Sequence, residues 1–148
     1  MSEDALNALG KRVRDSLLRK HPQWAEYVDT LEGGDLEIAV PAPPGSRAKH
    51  LVIFTSRGAD TWVRFAPPRM CYSVQSDGEL HAVVDALLQD DALFTVVTNG
   101  DDWIETTLLR PGQELVLADG HVANVVSWSG KADRTVMHTA PGPATENE

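Results

Sequence analysis

The spacing of apolar residues changes once near the start of this chain, at Gly33-Gly34, and that change limits the folds open to it. Before the glycines, Leu6, Leu9, Val13 and Leu17 recur at spacings of three and four, which is one buried stripe of a helix. Ser2 is placed to cap that helix, with Glu3 and Asp4 in its first turn. Trp24, Tyr27, Val28 and Leu31 follow the i, i+3, i+4, i+7 template, so a second helix is expected from Pro22 to the glycine pair. Beyond the glycines the period is two: Leu36, Ile38 and Val40 alternate with Glu37 and Ala39, a half-buried strand ended by Pro41, Pro43, Pro44 and Gly45. Helix stripes and a half-apolar strand in one chain bury each other best as a helix layer on a sheet.

The rest of the chain extends this pattern. Leu51–Phe54 and Thr61–Phe65 predict two strands joined through the turn Arg57–Asp60, and Pro67-Pro68 confine the segment through Cys71 to an edge or a loop. Ser76 with Glu79 fits a capping box, and Leu80, Val83, Val84, Leu87 and Leu88 give the helix after it an apolar face that ends at Asp90-Asp91. Asn99-Gly100, between Leu93–Thr98 and Trp103–Leu109, predicts a hairpin with a type I′ turn. Turns at Pro111-Gly112 and Asp119-Gly120 flank Leu115–Leu117, Val122–Trp128 reads as a strand, and Thr135–Thr139 adds a last one. The expected architecture is α+β: N-terminal helices plus a central helix packed on a mainly antiparallel sheet of about six or seven strands. Residues 1–140 are expected to form a single domain, and 141–148, with only Ala144 to anchor it, a disordered tail. A chain of 148 residues is large enough to hold a core without cross-links, and Cys71, its one cysteine, cannot close an internal disulfide.

Charge narrows the function. The chain has 13 Lys plus Arg against 22 Asp plus Glu, a formal net charge of −9. Asp77–Asp119 holds ten acids and one base, Arg110, so this segment carries the whole imbalance and the remainder is neutral. Lys11, Arg12, Arg14, Arg19 and Lys20 gather on the first helix. An acidic chain is a poor match for nucleic acid or an anionic membrane, which need clustered cations, so neither is expected as a partner. No apolar h-region opens the chain and no stretch approaches the ~18 apolar residues that span a bilayer, so a cytoplasmic protein is expected.

No catalytic motif emerges. Cys71 would need a base such as His81 or His50 to form a thiolate. His81 and Asp85 share one helix face at metal-ligand spacing, but opposite the apolar stripe, where solvent is the expected neighbour. Asp101, Asp102, Glu105, Asp119 and His121 gather at two turns without EF-hand spacing, and paired-carboxylate hydrolysis would need two of them across a cleft. Ser127-Trp128-Ser129-Gly130 is not a nucleophile elbow, and no P-loop or dinucleotide-binding glycine pattern is present. Neither metal nor cofactor is expected. Of Trp24, Trp62, Trp103 and Trp128, which belong mainly in the core, Trp103 is the candidate for an interface because it adjoins Asp101-Asp102.

The stretch Leu36–Pro43, with Val52–Thr55, Thr61–Phe65 and Val125–Asp133, resembles a group of small bacterial cytoplasmic proteins similar to immunity proteins of polymorphic and contact-dependent toxin systems. The resemblance spans Asp35 to Asp133. Where members of that group carry an aromatic and histidine cluster, this chain has Pro67-Pro68-Arg69-Met70-Cys71-Tyr72, so no role passes to it there. The resemblance implies a non-enzymatic protein that neutralises a partner, such as a toxin domain, and the charge map supplies the means: an acidic face covering a basic surface. The contact residues expected are Asp90, Asp91, Asp101, Asp102, Trp103, Glu105 and Asp119. The alternatives are an acidic secretion chaperone, which predicts a homodimer rather than a monomer, and a small-ligand domain or enzyme built on Cys71, His81 or the carboxylates.

Overall fold

The computed structural model describes residues 5–137, and the expected α+β class holds for them, with two α-helices and nine strands. Helix α1, Ala8–Lys20, starts later than the sequence suggests. Its cap is Asn7, whose side chain accepts a hydrogen bond from Gly10 N at 2.8 Å, while Ser2, the expected cap, lies outside the described residues. The Asn7 amide N–H in turn donates to the Gly34 carbonyl at 2.8 Å. Gly34 is required here: its φ is +86°, and a Cβ would stand 2.9 Å from the Ala5 carbonyl oxygen.

The second helix is the first correction. Only Pro22–Tyr27 and Glu32–Gly34 are helical, each as a 3-10 turn, and between them Val28–Thr30 is strand β1, pairing Val28 with Ile38 and Thr30 with Leu36. The 3-10 segment has no side-chain cap, and β-branched Val28 and Thr30 fit a sheet edge better than a helix. Trp24 alone of the apolar set is fully buried.

Strands β2 (Leu36–Pro41), β3 (His50–Ser56), β4 (Asp60–Phe65) and β5 (Cys71–Val74) follow as an antiparallel meander in the order β1-β2-β3-β4-β5. The segment through Cys71 is the sheet's edge, consistent with the two prolines before it. Leu36, Ile38, Leu51, Ile53, Val63 and Phe65 face the core, and the register sets Phe54 opposite Trp62 on the outer face. Helix α2, Asp77–Leu88, is capped by Ser76 Oγ on Glu79 N at 3.1 Å, while the Glu79 carboxylate accepts from Gln75 N at 2.6 Å. Leu80, Val83, Val84 and Leu87 bury its inner stripe.

After α2 the chain builds a second sheet, β7-β6-β8-β9, from Leu93–Asn99 (β6), Asp102–Leu109 (β7), His121–Val126 (β8) and Arg134–Met137 (β9). The expectation of one sheet of six or seven strands is therefore corrected to a five-stranded and a four-stranded sheet. Alternation identifies strands without naming their neighbours, and α2 carries the chain from the β5 edge to a separate ladder. Phe94, Val96 and Val126 join the main core, where Phe94 meets Phe65 edge-to-face with centroids 4.9 Å apart. On the other side of this sheet Leu93, Leu109 and Val125 form a small second core with Leu115 and Ala132, which explains why β6 is buried on both faces. Leu115–Leu117 forms no strand, the last strand ends at Met137 within the described residues, and the predicted tail 141–148 lies outside them. Among the described residues no helix is long and apolar enough to cross a membrane.

Candidate partner-binding surface

The β6–β7 hairpin departs from its prediction in two ways that decide which side chains stand together. Asn99 pairs with Asp102, so the turn is centred on Gly100-Asp101, and of these only Gly100 takes a left-handed φ, +62°. A type I′ turn on Asn99-Gly100 is thus excluded, since it needs positive φ at both central residues. Next, Thr98 pairs with Trp103 but Val97 with Glu105, which leaves Ile104 as the extra residue of a β-bulge. The bulge reverses the alternation. Trp103 and Thr106 fall on one face with Thr98 and Val96, and Glu105 on the other with Val97.

Trp103 is consequently exposed yet held. It is 46% accessible, and Ile104 beside it 44%. Its Nε1–H donates to Thr106 Oγ1 at 3.0 Å, and the Thr106 hydroxyl donates to the Arg69 carbonyl at 2.7 Å. The Arg69 guanidinium lies over the indole, 4.8 Å from the ring centroid. Arg69 itself has a φ of +69°, rare for a residue with a side chain, and the Thr106 bond secures it there. An ordered, half-exposed tryptophan loses little freedom on binding.

The seven expected contact residues do not form one patch. Asp101 and Asp102 are exposed at the hairpin tip and make no ion pair among the described residues. Asp119 is at the same end of the sheet, because β8 begins at His121 opposite Asn99. Glu105 is exposed on the face away from Trp103. Asp90 and Asp91 precede β6 and so lie at its other end, about 20 Å away for seven strand residues. Asp90 is also engaged: at φ +59° its carboxylate accepts from Ser129 N at 3.1 Å and from Ser129 Oγ at 2.5 Å, tying the β8–β9 loop to the end of α2. The Asp91 carbonyl accepts from the Arg110 guanidinium at 3.3 Å.

Beside Trp103 lies a groove of about 340 Å³, lined by Arg47, Pro67, Pro68, Arg69, Met70, Val96, Thr98, Asn124 and Val126. Sequence reasoning missed it, since its walls come from four separate stretches. The one available signal was an arginine directly after Pro67-Pro68.

The catalytic candidates find no assembly. Burial pushes the Cys71 thiol up, more than nearby Arg64 draws it down, so it stays protonated and a poor nucleophile. His81 and Asp85 face α1 rather than solvent: His81 Nε2 is 2.7 Å from Ser16 Oγ, and Asp85 pairs with Lys20. Ser16 is buried and His81 Nδ1 has no partner among the described residues to orient the ring, so this Ser–His pair is a contact between helices. His21, stacked on Trp24 at 3.9 Å, is held below the usual histidine range by burial, with Asp85 opposing. No cluster of three or more His, Cys, Asp or Glu able to hold a metal occurs among the described residues. Compared with protein-family models, curated proteins and solved structures, the chain matches none.

Proposed function

We propose that this chain is a non-enzymatic binding protein of the immunity type, which neutralises a protein partner with a basic surface, such as a toxin domain, through the end of its second sheet. The observation that carries the reading is Trp103, half exposed, fixed by Thr106 and Arg69, and preceded by two exposed carboxylates that make no ion pair among the described residues. The aromatic ring supplies buried area in the complex, and Asp101 and Asp102 select a cationic partner and speed its approach. Asp119 contributes from the same end. Glu105 acts only through its field, and Asp90 holds the loop rather than the partner. A toxin that acts on nucleic acid has a cationic groove of the required sign.

The test is a comparison of two baits in extract from the source organism: the native chain and a D101K/D102K double variant. The reading requires a protein of pI above about 9 that the native chain retains and the variant loses. If the two baits retain the same proteins, or the protein lost is acidic, the reading fails.

A further inference from the structure

We infer that the groove beside Trp103 receives a peptide segment of the partner in which an aliphatic side chain is flanked by acidic ones. This rests on the protein-binding reading for the class of ligand, and it assigns that ligand a second, oppositely charged contact.

The floor of the groove is aliphatic, with Pro67, Met70, Val96 and Val126, and its volume of about 340 Å³ suits one or two side chains with their backbone. Its rim carries two guanidinium groups that meet no carboxylate among the described residues. Arg47 bonds Asp133 only through its backbone N–H, at 2.8 Å, and the Arg69 side chain lies on Trp103. Two guanidinium groups without a carboxylate partner among the described residues, set over an apolar floor, complement an acidic occupant.

The polar groups of the lining favour a peptide over a hydrocarbon carboxylate. Thr98 makes no side-chain hydrogen bond among the described residues, and Asn124 accepts from Thr135 Oγ1 at 3.0 Å, which leaves its amide N–H groups to donate. A hydrocarbon chain would strip water from both side chains without replacing its hydrogen bonds. Peptide C=O and N–H groups supply those bonds instead. Thr106 connects the groove to the hairpin, since the same hydroxyl accepts from Trp103 and donates to Arg69.

The experiment pans a random peptide library against the full chain, then measures the synthetic consensus peptide by fluorescence anisotropy. An acidic–aliphatic consensus is expected. R47E/R69E should weaken its binding on the order of 10-fold or more, as loss of charge-assisted bonds does, and N124W, which fills the groove, should abolish it. Charge reversal at exposed Lys11 on α1 should leave it unchanged, and thermal melts confirm that each variant is folded. Failure to enrich, a basic or purely apolar consensus, binding that survives N124W, or displacement by decanoate as effective as by unlabelled peptide would each overturn the assignment. Because the panning uses no partner protein, it can fail while the cationic partner is still found, and it can succeed while that partner is not.

Discussion

At one end of the five-stranded sheet, where α1 meets the β3–β4 turn, Asp35 is surrounded by donors: Asn7 Nδ2 at 3.1 Å, Thr55 Oγ1 at 3.2 Å, Arg57 N at 2.9 Å and Gly58 N at 2.9 Å. At the hairpin end of the four-stranded sheet, Asp101 and Asp102 stand exposed with no ion pair among the described residues. The same residue type thus locks the helix to the sheet in one place and is left for solvent or a partner in the other. Total charge cannot separate these roles; the count of donors around each carboxylate does.

The largest effect is expected where the two sheets share a core. Phe94→Ala removes the ring packed against Phe65 and should cost about 3–5 kcal/mol in urea unfolding, in a single transition; two separate transitions would show that the sheets fold independently. Asp35→Ala strands several donors and should cost about 2 kcal/mol, whereas Asp101→Ala and Asp102→Ala should stay within about 0.5 kcal/mol. Equal losses at the three positions would erase the distinction.

The pH response sharpens it. Burial raises the Asp35 pKa, but the bonds from Gly58, Asn7, Arg57 and Thr55 outweigh it and hold the carboxyl below its ordinary value of 3.8. A depressed folded pKa means the carboxylate stabilises the fold above that ordinary value and the contribution is lost as pH falls through the folded one. Acid unfolding of the native chain should show this loss below about pH 4, and Asp35→Asn should flatten it. Trp103→Ala is expected to cost under about 1 kcal/mol, as an exposed side chain does, with a large loss of partner binding.

Much of the fold is legible in the sequence because period and capping are local. Ser76 with Glu79 starts α2, alternation marks β2, and Pro67-Pro68 announces the β5 edge. Val28 reads as helical because a 3-10 turn running into a strand reproduces helical spacing over one turn. Sheet membership escaped because register is a long-range property, set by α2 carrying β6 away from β5. For the candidate site, the sequence singled out Trp103, Asp101 and Asp102, neighbours in the chain. The bulge at Ile104, which turns Glu105 away, and the Arg69–Thr106 support arise only from pairing between distant segments. The engagement of Asp90 by Ser129 is likewise a contact across 39 positions.

In the proposed complex the acidic hairpin end meets the partner. The most direct test of this contact is the association rate with the cationic protein retained by the native chain, measured by stopped-flow tryptophan fluorescence for the native chain, D101K/D102K and E105K. A rate about tenfold or more lower is expected for D101K/D102K at low salt, with a gap that closes as salt rises, and a much smaller change for E105K. Equal rates for the native chain and D101K/D102K at low salt would contradict that contact.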